Sequence, residues 1–241
     1  MRAELRKILL AERADPVSDK LSGIAVGLSR LGLQPENYQE PFDTDSLTEF
    51  SAVYFSGVFV THSEEFENMA KTLCKQCSRF EIPTVFDPDL NRISGADYKT
   101  INEIAKLSDI FLPSVEDAKL LCGLDDPEKI AMYYLTLGTK KIVVKLDKKG
   151  AYYKSAKESG YMPTFRADKV VDTSGAGSAF AAGLISGITK EVPLGEAVVR
   201  ANACGCIAIQ AEGELESLPT IEILHEYMLS HRFMIEGCTE Y

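Results

Sequence analysis

Ala52-Val-Tyr-Phe-Ser-Gly-Val-Phe-Val60 is a β-branched and aromatic run, and Thr61-His62-Ser63-Glu64 follows it with capping-box spacing ahead of Phe66, Met69, Ala70 and Leu73. The pattern predicts a strand over 52–60 and then a helix with one apolar stripe. The same alternation extends to both sides. Toward the N-terminus, Leu21, Ile24, Ala25, Leu28 and Leu31 recur at helical spacing after the capping candidate Ser18, and Gly32 follows as a stop. Toward the C-terminus come a strand at Thr84–Phe86, a helix near 98–107 and a strand at Asp109–Leu112. A helix capped by Ser114 with Asp117 in its first turn follows, then one opened by Asp126-Pro127 and ended by Gly138. Lys141–Leu146 and Gly150–Lys154 read as strands around the turn Asp147-Lys148-Lys149, and Val170-Val171 as a short β-rich stretch. From Ala176 onward the chain reads as helices, through Ile188, Leu194–Gln210 and Thr220 to about Phe233. Strands alternating with helices of this length imply a mostly parallel sheet covered on both faces, with ligands beyond the carboxyl ends of its strands. With no repeat, low-complexity tract or linker, residues 1–241 are expected to form a single α/β domain.

Composition narrows the partners. The 241 residues are 45% hydrophobic and 26% charged, enough for a packed core. Lys plus Arg number 26 against 36 Asp plus Glu, a net charge of −10, which repels nucleic-acid backbones and anionic membranes. Neither partner is expected. The longest apolar runs fall short of the roughly 20 residues that span a bilayer, and Ile8–Ala11 is too short for a signal-peptide core. The expected location is cytoplasmic, so the six cysteines should be reduced thiols. Cys74 and Cys77 have metal-ligand spacing but lack a second pair, and Cys77 continues the Phe66, Met69 or Ala70, Leu73 stripe, which favours core thiols. His62, His225 and His231 are scattered and accompany no nucleophile.

Asp172-Thr173-Ser174-Gly175-Ala176-Gly177-Ser178 joins the Val170-Val171 stretch to a helix of small and apolar residues, Ala179–Ile188. Glycines permit a tight turn, and the unpaired amides at a helix start, with the positive end of its dipole, suit a phosphate or oxyanion. Close helix–strand packing is the alternative use of such glycines.

Asp172–Ser178 resembles the Asp-Thr-x-Gly-Ala-Gly-Asp signature of the PfkB, or ribokinase-like, carbohydrate kinases, and neighbouring segments agree in order. Ile110–Gly123 with Leu124-Asp-Asp-Pro127 is similar to the 2-keto-3-deoxygluconate kinase branch. Phe86-Asp-Pro-Asp-Leu-Asn-Arg92 is similar to the family's Asp-x-Asn-x-Arg strand end, and Val143–Ala151 to the strand and turn bordering the nucleotide. The likeness covers about residues 50–225.

The resemblance implies a ribokinase-like three-layer α/β sandwich with a mostly parallel central sheet. It also implies ATP-dependent phosphorylation of a sugar or sugar acid, with Mg²⁺ as the metal. On the family's pattern, Gly175, Ala176 and Gly177 offer amides to the transferring phosphoryl group, and the nucleotide lies along Lys145, Asp147 and Gly150 and the Ala201–Ile209 helix. Asp172, Thr173 and Asn202 belong to the same nucleotide-side set. Asp117 stands where Mg²⁺ and phosphate are handled, although a helix N-cap is the weightier reading of Ser114 and Asp117, and one position can serve both. Arg92 would bind a sugar-acid carboxylate or phosphate, or pair with Asp87 or Asp89.

The departures are as informative. The family's general base is the last Asp of the signature, and here that position is Ser178, whose hydroxyl cannot serve near pH 7 unaided. Met1–Ser22 lacks the family's opening strand with its Gly-rich acidic turn, Gly23 falls where an Asn is expected, and Leu33–Phe50 is too short for the β-stranded lid. The sandwich is therefore expected without lid and first strand, any oligomer would not use the lid, and catalysis should be impaired. The alternatives are a catalytically silent homologue that binds nucleotide or sugar phosphate or acts as a partner subunit, and a purely structural scaffold.

Overall fold

Eight strands hydrogen-bond into one sheet in the order β2-β1-β3-β4-β5-β6-β7-β8. The computed structural model describes residues 6–11, 23–39, 41–93, 95 and 97–231. The strands are β1 (Lys7–Ala11), β2 (Gln34–Asn37), β3 (Phe50–Ser56), β4 (Thr84–Asp87), β5 (Ile110–Phe111), β6 (Lys141–Lys145), β7 (Ala151–Ser155) and β8 (Ser159–Met162). The first six run parallel, and β7 and β8 add an antiparallel edge. The helices are α1 (Gly23–Arg30), α2 (Gly57–Val60), α3 (Glu64–Phe80), α4 (Tyr98–Leu107) and α5 (Val115–Cys122), followed by α6 (Pro127–Leu137), α7 (Ala176–Ile188), α8 (Leu194–Ala208) and α9 (Ile221–Ser230).

Strand alternation divides the core into two layers. Ile8, Leu10, Ala52 and Tyr54 face one way and pack with α1, α7, α8 and Leu224 of α9. Leu9, Ala11, Val53, Phe55, Phe86 and Phe111 face the other way and pack with α2 to α6. Burial on both faces is what a parallel sheet requires, and it gives the expected three-layer sandwich.

Several boundaries differ from the sequence reading. A strand does stand at the N-terminus: Lys7–Ala11 lies inside the sheet, between β2 and β3, because Ile8 to Ala11 are buried on alternating faces. Its shortness and its charged surroundings conceal it. The segment 33–50, read as too short for a lid, supplies β2 at the edge of the same sheet and a 3₁₀ turn at Thr44–Glu49. Pro35 is tolerated in β2 because an edge strand can spare an amide. The 52–60 run is strand only to Ser56, whose Oγ then accepts from the Phe59 amide at 3.2 Å and starts α2. Ser63, rather than Thr61, caps α3. Val170 and Val171 join no strand, and the Val171 amide donates instead to the Ile209 carbonyl at 2.8 Å. Cys74 and Cys77 are buried core thiols, each pushed up to about 12 chiefly by burial. Leu21, Ser18 and Cys238 lie outside the described residues.

Candidate active site

The order in which strands are added reverses at β1, with β2 on one side and β3 on the other, and a cleft of about 370 Å³ opens beside this switch point. Its walls come from many elements. Tyr54 is supplied by β3, Asp87 and Lys145 by the last positions of β4 and β6, and Asp89 and Arg92 by the turn after β4. The start of α1 contributes Gly23 and Ile24, the start of α7 contributes Gly175, Gly177 and Ser178, and the loop after α8 contributes Glu214.

Asp87 and Lys145 form the buried centre of this cleft. Lys145 Nζ donates to Oδ1 at 2.9 Å and to Oδ2 at 2.8 Å. Burial pushes the Asp87 carboxyl up to about 6, against the pull of the Lys145 charge. Burial alone would disfavour the Lys145 ammonium, but Asp87 beside it holds it above its ordinary value. The pair is thus an ammonium that keeps its proton and a carboxylate that is the first of the two to change charge.

The turn after β4 is held from behind. Asp117 makes the expected Ser114 cap a capping box, its Oδ2 accepting from the Ser114 amide at 2.9 Å while Ser114 Oγ accepts from the Asp117 amide at 3.0 Å. Its Oδ1 accepts from the Leu90 amide at 3.1 Å. Asp117 therefore fixes the 3₁₀ turn Leu90–Arg92, and this turn carries Arg92 to the cleft. Asp89 opens the turn at φ 39°, in the left-handed region, and Arg92 Nε stands 3.8 Å from its carboxylate. Asp87 is engaged by Lys145, so the ion-pair alternative for Arg92 falls on Asp89.

The glycine-rich turn is built by its own side chains. Asp172 accepts from the Ser174 amide and hydroxyl and from the Gly213 amide, which hold its carboxyl below the ordinary range. Gly175 stands at φ +76°, and a Cβ there would lie 2.6 Å from the Glu214 carbonyl oxygen. No side chain caps α7, and no carbonyl of the turn takes the amides of Gly177 and Ser178, whereas the Ala176 amide bonds the Thr173 carbonyl at 3.3 Å. The uncapped amides, with the helix dipole behind them, favour an anion.

Of the residues singled out in the sequence, the structure thus brings together Arg92, Lys145, Gly175, Gly177 and Ser178. Asp172, Thr173 and Ala176 shape the turn. Asp117 lies behind the Leu90–Arg92 turn, with only 4% of its surface exposed. Asp147 is exposed on the 3₁₀ turn Asp147–Lys149, and Gly150, at φ +95°, closes the β6–β7 hairpin against the Met162 carbonyl. Asn202 is buried and donates to the Met162 and Pro163 carbonyls at 3.0 and 3.2 Å. Tyr54, Asp89 and Glu214 were not singled out as site residues. Strand alternation could have marked Tyr54; no local pattern marks Glu214. Among the described residues no three His, Cys, Asp or Glu side chains group as metal ligands. The cleft's carboxylates suit a Mg²⁺ held mainly by substrate phosphates, the usual arrangement for that ion.

An uncapped helix start, two cations and three carboxylates thus meet at the switch point of a doubly wound α/β sheet. The family model for pfkB family carbohydrate kinases matches residues 30–221, and the chain belongs to that family. It is 41% identical over 151 residues to 2-dehydro-3-deoxygluconokinase of Bacillus subtilis (strain 168), covering 61% of this chain and 47% of the relative. The chain spans about half the length of the curated relatives it matches. Its fold is that of the PfkB protein from Polaromonas sp. JS666, with TM-score 0.74, 22% identity and coverage of 92% and 99% of the two chains. The aminoimidazole riboside kinase of Salmonella enterica, solved with aminoimidazole riboside and an ATP analogue, superposes with TM-score 0.73, 20% identity and coverage of 92% and 100%.

Proposed function

We propose that this chain transfers the γ-phosphoryl group of ATP, with Mg²⁺, to a hydroxyl of a sugar acid resembling 2-keto-3-deoxygluconate. The observation that carries the proposal is the meeting of the uncapped α7 start with Lys145 and Arg92 in one cleft. The similarity to a 2-dehydro-3-deoxygluconokinase supports the substrate class. Arg92 has 61% of its side chain exposed and only a loose partner in Asp89, so its fork is free to take the substrate carboxylate. The amides of Gly177 and Ser178 face the phosphoryl group, and the Lys145 ammonium adds fixed positive charge. Mg²⁺ supplies further neutralisation of phosphate charge. Position 178 has no carboxylate, and a cleft that leaves this base unreplaced turns over about 10²–10⁴ slower.

Ser178 also favours a second reading, a silent homologue that binds nucleotide without turning it over. Melting temperatures with millimolar Mg·ATP, ADP and sugar phosphate, beside ADP release across a panel of sugar acids and neutral sugars, separate the readings. A ligand-induced rise with sugar-acid-dependent ADP release supports the kinase. A rise without ADP release supports the silent homologue, and no rise with any ligand overturns both.

A further inference from the structure

We infer that Glu214 is the general base of this cleft, supplying from the loop after α8 the carboxylate that position 178 lacks; the inference rests on the phosphotransfer reading above. The geometry centres on Gly23, at the first position of α1. The point where a Cβ on Gly23 would stand lies 2.7 Å from Ser178 Oγ and 2.9 Å from Glu214 Oε1. The hydroxyl at the family's base position and the Glu214 carboxylate therefore stand close together over the Gly23 Cα, and both residues line the cleft. An acceptor hydroxyl bound in the cleft beside them reaches both groups.

Two further observations fix Glu214 in that place. Its backbone rests on the glycine turn, the carbonyl oxygen 2.6 Å from where a Gly175 Cβ would be. The preceding Gly213 amide donates to Asp172 at 3.2 Å, so the residue that shapes the signature turn also ties down the Glu214 loop. Among the cleft's carboxylates, Asp87 is occupied by Lys145 and Asp89 faces Arg92, while Glu214 has no cation partner among the described residues. A base must have a free lone pair aimed at its proton.

In the step this assigns, the acceptor hydroxyl gives its proton to a Glu214 carboxylate oxygen. Its oxygen forms a bond to the γ-phosphorus of the nucleoside triphosphate. The bond from that phosphorus to the β–γ bridging oxygen breaks, and its electron pair leaves with the nucleoside diphosphate. Ser178 Oγ orients the hydroxyl and does not take the proton.

The test compares wild type, Glu214→Gln, Ser178→Asp and the double variant in ADP release with Mg·ATP and 2-keto-3-deoxygluconate, with the melting-temperature rise on Mg·ATP as a folding and binding control. The expected result is a 10²–10⁴-fold fall in kcat for Glu214→Gln with the nucleotide-induced rise retained, loss of the acid limb of the pH–rate profile, and recovery in the double variant. Turnover by Glu214→Gln equal to wild type overturns the inference and leaves the kinase reading standing. An inert wild type beside an active Ser178→Asp overturns it too, with the rest of the site intact. If neither turns over, the phosphotransfer reading fails and the inference fails with it.

Discussion

Lys145 reaches across β5 to hold both carboxylate oxygens of Asp87, joining the ends of two strands that are not neighbours. Their side chains are 19% and 6% exposed, so the bond is made largely out of water. It ties the ends of β4 and β6 together at the cleft.

Breaking this pair from one side should be costly, because it strands a buried carboxylate. Lys145→Met is expected to destabilise the fold by about 3 kcal/mol, the lower end for one-sided loss of a buried pair. Pairing it with Asp87→Asn should return part of that loss. Urea denaturation of the four-member cycle measures both, and a Lys145→Met cost below about 1 kcal/mol contradicts the assignment.

The pH response follows from the direction of the Asp87 shift. Its folded-state value, about 6, stands above the ordinary 3.8, so between those values the folded protein binds a proton that the unfolded chain does not. Stability relative to Asp87→Asn should therefore rise as pH falls from about 6 to about 4, and level off above 6. Carboxyl carbon NMR of Asp87 reads the same event directly. A midpoint below 4 means that the Lys145 charge outweighs burial.

Asp117 and Ser114 share a capping box, yet they should not be equivalent. Ser114→Ala removes one capping bond and is expected to cost about 1 kcal/mol. Asp117→Ala also releases the Leu90 amide, leaving a buried donor unmet, and should cost about 1–3 kcal/mol more. Thermal melts compare the two. Because the Leu90–Arg92 turn is then loosened, Asp117→Ala should also raise the KM for a sugar-acid substrate, which Ser114→Ala should not.

The two glycines of the signature turn should likewise separate. Gly175→Ala places a Cβ against the Glu214 carbonyl in a left-handed residue, and is expected to cost more than the 1–2 kcal/mol of the conformation alone. A Cβ on Gly177 meets nothing within 4 Å, and there the greater helix propensity of alanine should hold or raise stability by up to about 1 kcal/mol. Equal melting temperatures for the two variants contradict this packing.

The sequence shows plainly what is decided locally. The Ser114 cap, the Asp126-Pro127 helix start, the Gly138 stop and the uncapped turn before α7 each depend on residues within one turn of chain, and each is found as read. Arg92 is legible because it follows a predicted strand end, in the turn that carries it to the cleft. What stays hidden depends on distant partners. Lys7–Ala11 is a strand because β2 and β3 flank it, and Gln-Pro-Glu-Asn at 34–37 has no apolar pattern of its own. Asp87 finds Lys145 across 58 positions. Glu214 reaches the cleft through a bond between Gly213 and Asp172, 41 positions apart.

The central claim is that this cleft transfers a phosphoryl group to a sugar acid. The most direct measurement is ADP formation by the wild-type protein with Mg·ATP, with and without 2-keto-3-deoxygluconate, alongside mass spectrometry of the sugar acid. The account predicts ADP formation that requires the sugar acid and matches phosphorylated product one for one. ATP left untouched, or consumed at the same rate without the sugar acid and with no phosphorylated product, would contradict it.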